Sequence, residues 1–207
     1  FNGPAFVDDD ARRRIAELAE LAPMDNPYNL AGIEACIALL PGVPQVAVFD
    51  TAFSLKMPPA AWTYALPAAM AEPQVLRRFG FHGISHEAAA RAACEFLQVN
   101  FDAVRILSCH LGTTASMVAI DHGRPIDHSM GMTPLDGLVM STRPGDLDVG
   151  LLLHLIADRG LDPRLLRSSL YEQSGLLGLS GVSSDVQAVQ DAADETTVGV
   201  GLALELA

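Results

Sequence analysis

The chain has 207 residues, of which 50% are hydrophobic, so it is long enough and apolar enough to bury a core. Its 25 acidic residues against 13 Lys and Arg give a formal net charge of −12, which argues against a nucleic-acid or anionic-membrane surface. The sequence contains no run of about 18 apolar residues and no signal-like start, so we predict an acidic cytoplasmic protein.

The first fifty residues predict two helices and one strand. Three aspartates at residues 8–10 precede apolar residues at helical spacing, and acidic groups favour a helix N-terminus. A second helix is predicted over about residues 29–40, where a proline–glycine pair ends it. The apolar run 46–49 then predicts a short buried strand with Asp50 at its carboxyl end. Ligands of α/β sheets bind at that end of the strands.

The middle of the chain combines an irregular connector, a helix and three strands. Residues 51–78 are rich in proline and aromatic residues, which is typical of a connector that crosses between domains. A helix capped by Ser85 is predicted to run to about Leu97. Residues 104–131 alternate apolar runs with two glycine-bearing turns, which predicts three consecutive antiparallel strands. The first turn, residues 110–114, suits phosphate because bare backbone N–H groups can point into it.

The last third of the chain reads as loops and short helices. Residues 133–145 form a loop rich in proline and glycine that carries Arg143, and helices are predicted over about 148–158 and 163–175. The small, polar segment 178–185 is a candidate ligand loop, and two further helical patterns close the chain. This order of elements predicts an α/β fold with mixed strands.

The familiar nucleotide-binding, zinc-protease and serine-hydrolase motifs do not occur in the sequence. What remains is a set of polar residues at strand ends and in glycine-bearing loops, namely Asp50, His82, His110, Arg143 and Asp185. Each has a structural explanation when taken singly, because aspartates cap turns, histidines are often satisfied core groups and loop arginines are often solvated. We interpret the other histidines as structural: His86, His122, His128 and His154.

Six ordered segments, taken together, resemble the signature blocks of the acetate kinase family. The resemblance runs from about Ala22 to the last residue, in the order and with the spacings of that one family. The segments are residues 49–53 (FDTAF) with 57–59 (MPP), 80–86 (GFHGISH), 109–112 (CHLG), 127–138 (DHSMGMTPLDGL), 142–148 (TRPGDLD) and 174–185 (SGLLGLSGVSSD).

The resemblance implies a place in the superfamily of sugar kinases, heat-shock proteins and actin, in which two ribonuclease-H-like domains close on ATP. The implied fold is α/β, ribonuclease-H-like (actin-like ATPase), with a mixed sheet and flanking helices, incomplete at both ends. Residues 1–50 would form the end of the first domain, and residues 51–207 the connector and an incomplete second domain. The chain would then be a central fragment of a protein that dimerises through its second domain.

The family transfers the γ-phosphoryl group of ATP to acetate in the presence of Mg²⁺, giving acetyl phosphate and ADP. A carboxylate nucleophile is already ionised at neutral pH, so such a site needs alignment and cations rather than a strong base. The resemblance implies three catalytic residues: Asp50 as a ligand of Mg²⁺ or of its water, Arg143 on the transferring phosphoryl group, and His82 as a hydrogen-bond donor to it. It also implies nucleotide binding by His110, Leu111, Gly112, Thr113, Thr114, Asp185, Val186 and Gln187, and an acetate pocket lined by Pro134 and Met24.

The chain departs from the family pattern at three places. Thr113 and Thr114 stand where Asn and Gly are usual, Asp25 stands where His is typical, and Gln187 stands where Arg is common. These changes restrict a turn that must approach phosphate, or make the site less positive, so we expect weaker anion binding. Two alternatives stay open: a propionate or butyrate kinase, and a non-catalytic relative that keeps the fold as a binding module. The fragment alone is expected to be inactive.

Overall fold

The computed structural model describes residues 1–70, 76–193 and 203, and its strands form a two-stranded and a three-stranded antiparallel sheet. The strands are β1 (Ala5–Phe6), β2 (Val46–Ala47), β3 (Arg105–Leu111), β4 (Ala115–Asp121) and β5 (Arg124–His128). The helices are α1 (Asp9–Glu17), α2 (Asn26–Leu39), α3 (Pro59–Trp62), α4 (Gly83–Leu97), α5 (Val149–Leu153), α6 (Pro163–Glu172), α7 (Gly175–Ser180) and α8 (Val186–Asp191). Shorter turns of 3₁₀ or π geometry lie at Leu18–Glu20, Ser54–Lys56, Phe101–Ala103 and His154–Asp158.

The three-stranded sheet is a meander in the order β3-β4-β5, as the sequence predicts. Strands β3 and β4 pair antiparallel, with His110 opposite Ser116 near the first turn. The second turn consists of His122 and Gly123, which have φ of 50° and 77°. Two positive φ angles in a two-residue loop match the right-handed twist of the flanking strands. The prediction of three consecutive antiparallel strands with a tight second turn is confirmed.

Helix α4 packs against one face of this sheet. Its buried Ala90 lies in one cluster with Phe53 and with Val118 and Ile120 of β4. Burial of each large apolar side chain stabilises the fold by roughly 1.5–3 kcal/mol. A second cluster joins Ala115 at the start of β4 to two buried methionines of the following loop, Met130 and Met140. The two clusters therefore hold the start of α4, the β3–β4 turn and the loop 129–145 close together.

The prediction of a buried strand over residues 46–49 is wrong in length and in burial. Strand β2 has two residues, and Val46 and Val48 are 53% and 57% exposed. Within the described residues β2 pairs only with the two-residue strand β1, so no wide sheet forms to cover these valines. Asp50 follows β2 in a turn rather than standing at the end of a buried strand.

The helices follow the predicted order with shifted ends. Helix α2 begins three residues earlier than predicted, since Pro27 fits the first helical turn. Helix α5 is short and continues as a π turn to Asp158, and Gly160 beyond it has a left-handed φ of 68°. Helix α6 begins at Pro163 as predicted, but it ends at Glu172 and a separate helix α7 follows.

Parts of two predictions lie outside the described residues, namely residues 71–75 of the connector and most of the last closing helix. Ala203 is described, and it is buried in a cluster with Leu176 of α7 and Val189 of α8. Among the described residues, we find no helix with the length and apolar character needed to cross a membrane. The division into domains at residue 50 stays a prediction.

Candidate active site

The turn after β2 is fastened to the beginning of helix α4. The backbone N–H of His82 donates to Asp50 Oδ2 at 2.6 Å, and the N–H of Gly83 donates to the Asp50 carbonyl oxygen at 2.9 Å. His82 has a left-handed φ of 57°, a conformation that costs a non-glycine residue about 1–2 kcal/mol. A Cβ atom on Gly83 would overlap the Asp50 carbonyl oxygen. Glycine at this position therefore allows Asp50 to lie directly beside His82.

The prediction that Ser85 caps helix α4 is wrong. The helix begins two residues earlier, at Gly83, and its N-cap residue His82 makes no side-chain capping hydrogen bond. Ser85 consequently lies within the first helical turn, where its Oγ is 2.9 Å from Nδ1 of His110 on β3. The serine hydroxyl thus links the helix to the sheet instead of satisfying the helix end.

The imidazole ring of His82 is held on three sides. Its Nδ1 is 2.8 Å from Ser116 Oγ, and its Nε2 is 3.0 Å from Thr114 Oγ1. The ring also stacks on His110, with 3.9 Å between centroids and 13° between planes. These contacts fix the orientation of His82 at the mouth of the β3–β4 turn.

The surroundings of His82 favour its neutral form. Burial is the main reason that its pKa is lowered from the usual value, and His110 adds to the lowering. The nearby Asp50 carboxylate acts in the opposite direction, while His128 and the positive charge of Arg143 lower the pKa further. His82 is therefore a neutral hydrogen-bonding group at pH 7, surrounded by Asp50, His110 and Arg143.

Arg143 lies in the loop after β5 with its guanidinium group held by uncharged partners. Its Nη1 donates to the carbonyl oxygen of Pro134 at 3.3 Å, and the guanidinium carbon is 5.3 Å from the ring centroid of Tyr171. No carboxylate forms an ion pair with Arg143 in the part of the chain that the structure describes. The remaining N–H donors of the guanidinium fork are suited to an anionic group.

The β3–β4 turn, residues 112–114, lies beside His82. Gly112 N–H donates to the Thr114 carbonyl oxygen at 3.1 Å, and Ser141 N–H donates to the Thr113 carbonyl oxygen at 3.2 Å. The second bond attaches the Arg143 loop to the turn. Neither Thr113 nor Thr114 has a positive φ, so the β-branched side chains fit this turn without backbone strain.

Four predicted site residues take no part in the hydrogen bonds that the structure describes at His82: Met24, Asp185, Val186 and Gln187. Met24 is 51% exposed just before α2. Asp185 caps helix α8 by accepting the N–H of Ala188 at 2.9 Å, and Gln187 donates to Asp191 within the same helix. Within the described ranges no hydrogen bond joins these four residues to the His82 surroundings, so their roles stay predictions.

Two histidines that we interpreted as structural lie directly behind His82. His86 is 1% exposed and His128 is 3% exposed, and their rings meet edge to face with 5.6 Å between centroids. Ser116, which contacts both His82 and His86, was also missed. The spacing of His82 and His86 was the available signal, because residues four apart at a helix start lie on one face.

Comparison with known proteins identifies the relatives of this chain. The model of the acetokinase family matches residues 1–206. The acetate kinase of Azobacteroides pseudotrichonymphae is 45% identical over 192 residues, which are 93% of this chain and 48% of that protein.

Two solved structures match all of this chain. The crystal structure of Porphyromonas gingivalis acetate kinase has a TM-score of 0.93 at 41% identity, and this chain covers 52% of it. A propionate kinase from Francisella tularensis subsp. tularensis has a TM-score of 0.92 at 36% identity, and this chain covers 53% of it. The chain thus spans about half the length of these relatives.

These likenesses confirm the predicted α/β, ribonuclease-H-like fold and the resemblance on which it was based. The match extends along nearly the whole chain, including the segments that contain Asp50, His82 and Arg143. The chain therefore belongs to the acetokinase family.

Proposed function

We propose that the complete gene product containing this chain is a carboxylate kinase that transfers the γ-phosphoryl group of ATP to acetate, giving acetyl phosphate and ADP. The observation that carries the proposal is that Asp50 and the β3–β4 turn both contact His82, and that the loop of Arg143 is hydrogen-bonded to the same turn. Membership of the acetokinase family supports the reaction class. The family resemblance also supports a cytoplasmic homodimer.

Arg143 and His82 act on the transferring phosphoryl group. The ionised acceptor carboxylate attacks the γ-phosphorus while the bond to the ADP oxygen breaks, and negative charge spreads over the three equatorial oxygens. The guanidinium fork of Arg143 donates to two of these oxygens, and neutral His82 donates to one of them from a ring N–H. Donors held in place before the reaction stabilise this charge without further reorganisation. Alignment and electrostatics are sufficient, so no general base is required.

The β3–β4 turn binds the phosphate chain of ATP. The backbone N–H groups of Thr113 and Thr114 donate to no protein acceptor within the described residues, so they are available to phosphate oxygens. Small turns with free N–H groups bind anions in many nucleotide sites. The ordinary φ values of both threonines support phosphate binding despite the departure from the family pattern.

Asp50 fits the role of a Mg²⁺ ligand. One of its carboxylate oxygens accepts the His82 N–H, and the other has no hydrogen-bond partner among the described residues. Sites for Mg²⁺ commonly use one or two carboxylates together with substrate phosphates and water, and the described residues contain no cluster of three or more metal-ligating side chains. When bound, Mg²⁺ neutralises charge on the ATP phosphates. Asp50, directly or through water, would hold it.

The acceptor carboxylate lies next to Pro134, whose carbonyl oxygen binds Arg143. The apolar proline ring suits a short alkyl chain beside a cationic group. The likeness to a propionate kinase favours propionate as a second candidate acceptor. One methylene group in such a pocket changes the transition-state free energy by only about 1–3 kcal/mol. We therefore expect both acids to be phosphorylated, at different rates.

A coupled assay of the complete gene product with ATP, Mg²⁺ and a series of short acids tests the proposal. We expect turnover with acetate and a slower or comparable rate with propionate. An absence of turnover with acetate, propionate and butyrate would contradict a carboxylate kinase. Calorimetric titration then separates the alternative, because micromolar binding of ATP without phosphoryl transfer supports a binding module. The 207-residue chain alone is expected to give no turnover.

A further inference from the structure

Behind His82 five polar side chains form one continuous row of hydrogen bonds, which we call the histidine–hydroxyl row. Ser108 Oγ is 2.8 Å from His86 Nδ1, and His86 Nε2 is 2.8 Å from Ser116 Oγ. Ser116 Oγ is 2.8 Å from His82 Nδ1, and His82 Nε2 is 3.0 Å from Thr114 Oγ1. The row starts in the protein interior and ends at the β3–β4 turn.

The row couples the protonation of the two histidines through one serine. A hydroxyl group carries a single proton, so it can donate only one hydrogen bond. Ser116 is fully buried, and within the described residues its Oγ has no partners other than one nitrogen of His82 and one nitrogen of His86. If Ser116 accepted from both rings, its own proton would be buried without an acceptor, so it donates to one ring and accepts from the other. Two neutral rings must therefore share one tautomer: both carry their proton on Nε2, or both carry it on Nδ1.

Both rings are neutral at pH 7. Burial is the first cause that lowers the pKa of His86, to about 4, and the neighbouring histidines add to the effect. At pH 7 to 8 an imidazole of ordinary pKa is already mostly neutral, so His82 needs no shift to be in this form. With both rings neutral, Ser116 imposes the common tautomer.

The buried end of the row selects the tautomer. Ser108 is 7% exposed, and residues 1–70 and 76–193 provide its Oγ with no partner other than His86 Nδ1. If Nδ1 carried the proton, Ser108 would accept it and leave its own hydroxyl proton buried without an acceptor, which is unfavourable. Thr114 at the other end is only partly buried, so water can accept its hydroxyl proton. The hydrogen bonds therefore run outward from Ser108 to Thr114.

We propose that Ser108, His86 and Ser116 are positioning residues that hold the proton of neutral His82 on Nε2. The inference rests on the proposed function, because this N–H is the donor that we assign to the transferring phosphoryl group. In this arrangement Thr114 Oγ1, 3.0 Å from Nε2, accepts the same hydrogen bond, so a phosphate oxygen takes the place of that hydroxyl when ATP binds. The hydrogen bonds from Ser108 to His82 stay intact during the reaction, and no covalent bond within the row is made or broken.

Long-range ¹H–¹⁵N spectra of the complete gene product, labelled with ¹⁵N at the histidine rings, test the proposal directly. The signals of His82 and His86 are assigned from the spectra of His82→Gln and His86→Gln. We expect both residues to be neutral Nε2–H tautomers between pH 7 and pH 8. Finding either residue with its proton on Nδ1 overturns the proposal, and this test needs no variant of Ser116.

Two serine variants separate positioning from a general effect on folding. Ser116→Ala should let His82 populate both tautomers and lower kcat about 10-fold or more, with the KM for ATP little changed. Ser85→Ala is the matched control, since Ser85 contacts His110 and lies outside the row, and it should leave the His82 tautomer unchanged. An unchanged His82 spectrum in Ser116→Ala would also overturn the proposal.

The spectra distinguish failure of the inference from failure of the proposed function. If the gene product phosphorylates no short acid but both histidines are Nε2–H tautomers, the kinase proposal is contradicted and the histidine–hydroxyl row is supported. If the gene product is an active kinase but His82 carries its proton on Nδ1, the proposed function is supported and the proposal that the row sets the His82 tautomer is contradicted.

Discussion

The two parts of the chain on either side of Asp50 differ in burial. Before Asp50, only Ala11 and Ile15 belong to the buried apolar core, and helix α2 buries none of its residues. After Asp50, two apolar clusters and a set of buried histidines hold α4, the three-stranded sheet and the loop 129–145 together. Within these 207 residues, Asp50 is held by hydrogen bonds from the backbone of His82 and Gly83 at the start of α4.

The largest expected difference between the two parts is in turnover. Arg143→Ala should lower kcat of the complete gene product by about 10³–10⁵, as for arginines that stabilise transferring phosphoryl groups. Arg13→Ala on α1 is the matched control, because Arg13 is exposed and, among the described residues, pairs only with its helix neighbours Asp10 and Glu17. Surface ion pairs contribute about 0–1 kcal/mol, so this variant should keep normal turnover. An equal loss of kcat in both variants would contradict a specific catalytic role of Arg143.

As the pH falls, the part of the chain after Asp50 should lose stability before the part that precedes Asp50. His86 is neutral in the folded chain with a pKa of about 4, whereas an unfolded histidine has an ordinary pKa near 6.5. Between these values the unfolded state binds more protons, so the free energy of unfolding falls as the pH decreases through this window. The shift corresponds to about 3 kcal/mol, fully present above pH 6.5 and lost at about pH 4.

Hydrogen exchange of the complete gene product, followed from pH 7 to pH 4.5 with correction for intrinsic rates, measures this effect. Amides of α4 and β4 should lose protection, and amides of α1 should change less because residues 1–50 contain no histidine. His86→Gln removes the titrating ring and should make the loss in α4 less steep. A uniform loss in both parts would contradict a histidine origin.

The same glycine substitution should have opposite effects in the two parts. Gly83→Ala places a Cβ atom against the Asp50 carbonyl oxygen and should destabilise this junction by about 1–3 kcal/mol. In the 207-residue chain, Gly32→Ala in α2 meets no atom within 4 Å and should stabilise its helix by about 0.5–1 kcal/mol. Hydrogen exchange of peptides from α4 and α2 measures both changes. If Gly83→Ala leaves α4 and turnover unaffected, Asp50 is not held in the way we describe.

The secondary structure after Asp50 was predicted from the sequence better than that before Asp50, for physical reasons. Alternating apolar residues and glycine-bearing turns specify the β3-β4-β5 meander locally, so its strands and second turn were predicted. The apolar run 46–49 carries the same local signal but pairs only with a two-residue strand in the described residues, so its predicted burial was wrong. Burial depends on distant partners, which a local pattern does not reveal.

The site was predicted as separate residues but not as a network. Family motifs drew attention to Asp50, His82 and Arg143, and the structure places Asp50 against His82 and ties the Arg143 loop to the β3–β4 turn beside them. The contacts of Ser116 and Thr114 with His82 depend on how β4 packs against the start of α4, which no motif encodes. His86 was set aside because a buried histidine usually has a structural role, and its polar partners become visible only in three dimensions.

The most direct measurement compares phosphoryl transfer by two histidine variants of the complete gene product. His154→Gln is the control, since His154 is exposed and its ring bonds only Asp158 in the part of the chain that the structure describes. His82→Gln removes the imidazole donor at the point where Asp50 and Arg143 converge. We expect kcat for acetyl phosphate formation to fall about 10²–10³-fold in His82→Gln and to stay unchanged in His154→Gln. Normal turnover by His82→Gln would contradict a phosphoryl-transfer site centred on this residue.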